Sequence, residues 1–232
     1  MTLIEVLVTI VVGMVVLLGA LSMMESGFSS SARVQDRSDA AGRARAGFDR
    51  ATALLQAQVC NGKTPPVIAG TTTSVTFTAN IGDRNATPVQ YRLQYLPAAG
   101  ATPARLAETQ WTMSAAPDAN GAYTAVTPTT KTVVQYVEPI TTGASPSPVF
   151  RYWGTDDTTT NDEKELTAPL SSSAAAANYR GRVLRVDIDL RVLPTRTLPT
   201  AQAKRLSSRL HASGYVASNL DPTKLDKGPQ CT

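Results

Sequence analysis

Between Val6 and Met24 the chain carries no charged residue, and no other stretch of its 232 residues is comparably apolar. Wound into a helix, this run is about 28 Å long, close to the roughly 30 Å hydrocarbon core of a bilayer. Val6, Leu7, Val8, Ile10, Val11, Val12, Val15, Val16, Leu17, Leu18 and Leu21 dominate it, and only Thr9 and Ser22 are polar, so no face suits water. A buried helix of a soluble domain normally keeps a polar face. A cleavable export signal needs basic residues ahead of a shorter apolar core, and here the first Lys or Arg is Arg33. The run is therefore read as a membrane-crossing helix in contact with lipid.

The remainder is long enough for one globular domain with its own core. The formal charge is +4, from 22 Lys+Arg against 18 Asp+Glu, with 15 Gly, 15 Pro, two Cys and one His. Such averages exclude a coiled-coil rod, a collagen and a fully disordered chain. One histidine and two widely spaced cysteines also exclude a zinc site built from several Cys and His ligands.

Glu5 stands between Leu3-Ile4 and Val6-Leu7. A carboxylate at mid-span costs on the order of 2.5–3.5 kcal/mol on insertion scales, so Glu5 needs either the headgroup region or a cation. The α-amino group of Met1, one helical turn away, supplies one, from the same chain or from a neighbouring copy. Met1-Thr2-Leu3-Ile4-Glu5-Val6-Leu7-Val8, followed by the long apolar segment, resembles the mature N-terminus of type IV pilins and of the related pseudopilins of type II secretion.

The resemblance covers residues 1 to 25. It implies that a prepilin peptidase cuts just before Met1, that Met1 is the mature and N-methylated terminus, and that Glu5 contacts the N-terminus of a neighbouring subunit during assembly. The implied partners are other pilin subunits through their N-terminal helices, the prepilin peptidase, the inner-membrane assembly machinery, and lipid before assembly. The sequence departs from the pattern twice. Most members begin with phenylalanine, although methionine is accepted, and Ser22 stands where many major pilins carry a proline. Without that proline a regular helix is expected through Met24. Arg33, Arg37, Arg43, Arg45 and Arg50 all follow the span, against the positive-inside rule for an outward domain; the resemblance implies a removed leader with the inner charges, and Asp36, Asp39 and Asp49 moderate the outer ones.

Helical periodicity continues past the span. Val34, Ala41, Phe48 and Leu55 recur every seven residues, with Ala44, Ala51 and Leu54 beside them, which predicts one apolar stripe buried under the rest of the chain. Arg33 with Asp36 and Asp39 with Arg43 are spaced to pair on the opposite face. A helix reaching about Val59 is ended by Asn61-Gly62 and Pro65-Pro66. The arginines are matched by acids and lack aromatic stacking partners, so no nucleic acid is expected as a partner. The predicted organisation is a transmembrane and assembly half over residues 1–28, an amphipathic half over 29–60, and a β-rich head over 61–232.

In the head the period changes to two. Ser74 to Thr78, the alternation of Tyr91, Leu93 and Tyr95, and above all Val183 to Val192 read as strands. In the last, Leu184, Val186, Ile188, Leu190 and Val192 face one way, with Arg185, Asp187, Asp189 and Arg191 toward solvent. Weaker candidates are Arg105 to Met113, Ala122 to Val126, Thr132 to Val137 and Val149 to Trp153. The fold class is α+β: a long N-terminal helix packed on an antiparallel β-sheet head, which is also the pilin-like arrangement that the resemblance implies.

Candidate chemistry in the head is sparse. Asp187 and Asp189 share a strand face as paired acids do, but Arg185 and Arg191 offer cross-strand neutralisation. Asp156, Asp157, Asp162 and Glu163, with Asn161 and Glu165, crowd oxygen ligands into one segment without EF-hand spacing; they make a weak Ca²⁺ candidate, and no other cofactor is expected. His211 has no acid at triad spacing and is read as a surface or edge-strand residue, and no Gly-x-Ser-x-Gly elbow occurs. Cys60 and Cys231 suggest a single bridge if the head faces an oxidising space, the alternative being two free thiols.

Large size, and the Leu54-Leu55-x-x-x-Val59 pattern closing the helix, look most similar to minor pilins of the J or W type. The expected role is therefore non-enzymatic: a minor subunit of a type IV pilus, with a large head favouring the tip. A J-type pseudopilin of type II secretion is the alternative within the family. Outside it stands a membrane-anchored enzyme or binding domain; an adhesin head, with loops at Thr71 to Thr73, Thr127 to Thr130 and Thr158 to Thr160, is compatible with pilin assembly and differs only in having a ligand.

Overall fold

The computed structural model describes residues 2–81, 87–142, 145–155, 163–173, 176, 178–195, 207–216 and 231. No proline precedes Pro65, and α1 runs unbroken over Leu3–Gln56, 54 residues or about 81 Å. The regular helix through Met24 is part of it. It ends at Gln56, short of Val59, because a strand captures the backbone there. Ala57 donates back to the Ala53 carbonyl at 3.1 Å, Val59 N–H donates to Thr78 O at 3.0 Å, and Asn80 N–H to Ala57 O at 2.9 Å.

Residues 2–31 of the helix are exposed, and the first fully covered position is Ala40. From there Ala40, Ala44, Gly47, Phe48, Ala51, Leu54 and Leu55 are buried, a 3.6-residue stripe. The strict seven-residue reading fails at its lower end: Val34 is 68 % exposed and Ala41 is exposed as well. Seven residues make slightly less than two full helical turns, so the contact line drifts from position 41 to 40. The pairs Arg33–Asp36 and Asp39–Arg43 are not formed among the described residues. Arg43 turns to the head instead, where its Nη2 donates to Leu193 O at 3.1 Å and its guanidinium lies 5.5 Å from the Tyr136 ring centre.

The first sheet is antiparallel in the order β1 (Val67–Gly70), β2 (Ser74–Ala79), β3 (Val89–Leu96), β4 (Arg105–Met113), β5 (Ala125–Gln135). In the second, β11 (Val183–Val192) lies between β12 (Ser208–Tyr215) on one side and both β9 (Phe150–Thr155) and β6 (Val137–Pro139) on the other, with β10 (Glu163–Leu166) outside β9. A small hairpin joins β7 (Thr141–Thr142) to β8 (Ser145–Pro146). The chain changes sheets at Tyr136, which has φ +58°, a left-handed conformation costly for a residue with a Cβ.

Three strand readings need correction. Ala122–Val126 and Thr132–Val137 are not two strands with a turn at Thr127 to Thr130: one strand runs from Ala125 to Gln135 and includes Pro128. It is the edge of its sheet, where a missing N–H is tolerated. On β11 a register shift between Val183 and Arg185 places Val183 inside and leaves Leu184 only half-buried. The acids of that strand are not in solvent, since Asp187 and Asp189 are both buried.

α1 packs against β5 of the first sheet and against β12 and β11 of the second, so one continuous core joins Phe48, Leu54 and Leu55 to Phe77, Leu93 and Leu106 on one flank and to Phe150, Tyr152 and Ile188 on the other. Close approach sets the seating. A Cβ at Gly214 of β12 would fall on the Leu55 side chain, and one at Gly47 would lie 2.9 Å from Val134 Cβ. Tyr152 joins the sheets from within, its hydroxyl 2.8 Å from the carbonyl oxygens of Thr71 and Ser74. Charge locks the helix to the first sheet. Glu108 has no exposed side chain; it accepts from Arg50 Nε at 3.1 Å and Nη2 at 2.9 Å, and Lys131 Nζ lies 3.2 Å away. The Glu108 hydrogen bond raises the Arg50 pKa. A long N-terminal helix, bare over its apolar start, seated on antiparallel sheets and closed by a disulfide from Cys231, is a pilin-like architecture.

Candidate assembly surface

The bare half of α1 is the least water-compatible surface among the described residues. Leu3, Ile4, Met14, Val16, Leu18, Met23 and Phe28 are each more than half exposed. Taken as a cylinder about 10 Å across and roughly 39 Å long, residues 3–28 present on the order of 1,200 Å², against the few hundred Å² of contiguous apolar patch that soluble monomers expose. At about 25 cal/mol per Å² the drive to cover it is on the order of 30 kcal/mol. The helix is long and apolar enough to cross a membrane by length and composition. Two of its hydroxyls fold back on the backbone. Thr9 Oγ1 lies 2.9 Å from Glu5 O and 2.8 Å from Val6 O, and Ser29 Oγ donates to Ser26 O at 2.9 Å, as a non-aqueous setting requires. A Cβ at Gly13, Gly19 or Gly27 would meet nothing within 4 Å, so the chain itself leaves these positions open.

Glu5 occupies the third position of the helix, with Thr2 as its N-cap. Its Oε2 accepts the Thr2 backbone N–H at 3.4 Å, half of a capping box. The sequence signal, Thr-x-x-Glu ahead of an apolar run, is legible. One carboxylate oxygen is thereby directed to the chain's own backbone, and Oε1 is left for another donor. Met1 lies outside the described residues.

The acids and histidine of the head are brought together differently from the sequence expectation. Asp189 pairs across the strand with Arg209, Nη2 to Oδ2 at 3.0 Å, and Arg191 pairs with Glu138 at 3.4 Å. Asp187 Oδ1 lies 3.1 Å from Arg185 Nε. Arg185 also meets Glu163 at 3.1 Å and stacks 4.7 Å from the Trp153 ring and 5.7 Å from that of Tyr215. Burial opposes its charge, but the Tyr215 hydroxyl and the two carboxylates outweigh that, and its pKa rises. His211 lies on the edge strand β12 and is exposed, with Ser213 Oγ 3.4 Å from its Nε2. Asp189 is its cross-strand partner in register, yet both Asp189 oxygens face Arg209, so no carboxylate among the described residues orients the imidazole.

Of the Ca²⁺ candidates, Asp156, Asp157 and Asp162 lie outside the described residues, as do Thr158 to Thr160, and Glu163 is held by Arg185. No group of three or more His, Cys, Asp or Glu able to hold a metal occurs among the described residues. Thr71 to Thr73 form a hydroxyl-capped turn, with Thr71 Oγ1 accepting from Thr73 N and Ser74 N at 3.2 and 3.0 Å. Thr127 to Thr130 belong to β5 rather than to a loop.

Cys60 and Cys231 are joined, with Cα atoms 5.6 Å apart and a separation of 171 positions in sequence. Beside the bridge, Asn61 presents its side chain as a surrogate backbone: Nδ2 donates to Tyr123 O and Oδ1 accepts from Tyr123 N, both at 2.7 Å. Gly62, at φ +57°, lets the β4–β5 loop approach, since a Cβ there would lie 2.5 Å from Asn120 O. Such a bridge fits a head outside the reducing cytoplasm, and the apolar helix fits a membrane anchor or a signal. No protein-family model, curated protein or solved structure matches the chain.

Proposed function

We propose that this protein is a filament subunit of the pilin class, most like a minor pilin that enters or primes a type IV pilus near its tip. One observation carries the reading: a bare apolar half-helix continuous with a half seated in a disulfide-closed β head. Before assembly the exposed half lies in lipid; in the filament, neighbouring helices cover the same surface, with Gly13, Gly19 and Gly27 as points of close approach. The Oε1 oxygen of Glu5 receives the Met1 amine of an adjoining subunit while Oε2 keeps its Thr2 contact. The prepilin peptidase and the inner-membrane assembly machinery are the corresponding partners. Nothing in this role calls for catalysis, a metal or nucleic acid.

A second reading, a head held on the membrane by an uncleaved anchor, draws on the capping geometry, because a Glu5 engaged by its own helix needs no partner. Mass spectrometry of the N-terminal peptide separates the two. An α-N-methylated Met1 in sheared surface filaments is the expected result. The same peptide in membranes alone points to a J-type pseudopilin of type II secretion, and an unmethylated terminus overturns the filament reading. A further test is Glu5→Gln, which keeps an acceptor for Thr2 but loses the charge. Subunit recovery in filaments is expected to fall at least about tenfold, a loss of about 1.4 kcal/mol in pairing, with the head's melting temperature unchanged.

A further inference from the structure

In the first sheet every second side chain of β2, β3 and β4 points away from α1. Val75, Leu93 and Leu106 enter the core. The alternate residues Thr76, Arg92, Thr109 and Thr130 are in register and make one row across the outer face. The next row holds Gln90, Trp111 and Pro128, so the two rows are diagonal neighbours. Strands β1 to β5 contain a single acid, Glu108, and it is turned to Arg50 of α1. These strands therefore give the outer face two guanidiniums, Arg92 and Arg105, and no carboxylate.

Arg92 is fixed in place without being neutralised. Its Nε donates to Thr76 Oγ1 at 3.1 Å, and its guanidinium lies 5.1 Å from the Trp111 ring centre. Nη1 and Nη2 meet no acceptor among the described residues. Two other guanidiniums stack on rings among the described residues, and both are engaged. Arg43 donates to Leu193 O, and Arg185 is held by Glu163 and Asp187. A side chain immobilised before its ligand arrives loses little further freedom on binding. The two terminal nitrogens of Arg92 form a planar fork of the geometry that a carboxylate accepts through both oxygens.

We infer that this face binds a polysaccharide bearing carboxylates, a uronate chain, with one carboxylate on the Arg92 fork. The surroundings of Arg92 select a sugar. The Gln90 amide and the Thr109–Thr130 hydroxyl pair, whose oxygens are 2.9 Å apart, both donate and accept, as sugar hydroxyls do. Half-buried Trp111 and exposed Pro128 offer an apolar strip to the C–H face of a sugar ring. A nucleic acid fits less well, since a phosphate backbone calls for a track of cations. Arg105 stands four residues along β4 from Thr109, about 13 Å by strand rise, and Lys131 is turned to Glu108. The inference concerns the head alone and goes beyond the filament reading.

The test is calorimetric titration of the full chain in detergent micelles with a galacturonate hexamer, its methyl ester and an oligothymidylate of equal length. The galacturonate is expected to bind, and the ester, which keeps the hydroxyls and loses the charges, to bind at least about tenfold more weakly. Arg92→Lys keeps the charge and loses the fork, and is expected to weaken galacturonate binding by a similar factor. Arg45→Gln, which removes an exposed guanidinium on α1, leaves it unchanged. The ligand series on the unaltered chain stands even if the Arg92 variant folds poorly. Absence of saturable binding, equal binding of acid and ester, or tighter binding of the oligothymidylate overturns the proposal. So does an equal loss in the Arg45 variant, which would mean that net charge alone attracts the ligand.

Discussion

Glu108 keeps its carboxylate wholly out of water between a guanidinium from α1 and an ammonium from β5. Removing one partner of a covered pair leaves a charge uncompensated, and the two cations differ in what they give. Arg50 makes two hydrogen bonds to Glu108, while Lys131 makes one longer contact from a more exposed position. Arg50→Ala is therefore expected to destabilise more than Lys131→Ala in urea melts, with a coupling of about 1–3 kcal/mol between Arg50 and Glu108 in a double-mutant cycle. Tyr152 gives a pH prediction. Burial pushes its phenol well above the ordinary tyrosine range, only partly offset by the Thr71 hydrogen bond. Burial raises Tyr91 and Tyr95 as well. A folded pKa above the unfolded value of about 10 gives stability that is complete below that pH and is lost as pH rises past it, because the unfolded chain releases its proton first. Alkaline melting series should show the decline, and Tyr152→Phe should lessen it while costing about 1–2 kcal/mol at neutral pH for the lost hydrogen bond. Neither role is legible in sequence. Glu108 sits in Arg105–Met113 as one polar residue among several, and alternation does not identify the acid that a distant arginine will draw inward.

At the scale of elements, what could be read depended on how local the cause was. The unbroken α1, the bounds of β4 and β11 and the α+β class follow from proline placement and from the two periods, which act between neighbours. The failures have non-local causes. Pro128 looked like a turn because its tolerance depends on β5 being an edge. The sequence offers Asp187 and Asp189 only Arg185 and Arg191 beside them, because the pairing of β12, which brings Arg209 to Asp189, has no signature in either segment. The helix stripe passes through Ala40 rather than Ala41 because a straight helix drifts against a rigid repeat of seven. At the candidate site the apolar span and the cysteine pair are readable from local pattern, and the Thr2–Glu5 cap has a local signature as well. Helix seating makes a prediction of its own. Gly214→Ala forces β12 off Leu55 and is expected to cost about 1–3 kcal/mol as overpacking. Gly42→Ala, on a face with nothing within 4 Å, is expected to add about 0.5–1 kcal/mol by favouring the helix. Denaturant midpoints of the two variants, moving in opposite directions, would check the packing.

For the whole molecule, the Cys60–Cys231 bridge closes a loop containing every strand of the head. In the chain-entropy picture a loop of this length contributes about 5 kcal/mol. Cys60→Ser with Cys231→Ser is expected to lower stability by several kcal/mol in urea melts, and added reductant should bring the unaltered protein to the same midpoint. The closure also has a mechanical meaning. Tension applied to the bare end of α1 and resisted at Cys231 travels up the helix to Gln56, through four residues to Cys60, and across the sulfur atoms. It touches the sheets only where Ala57 and Val59 meet the end of β2. The head hangs on this tether as a parallel branch, so its hydrogen-bonded strands are shielded from a pull that would otherwise unzip them one after another.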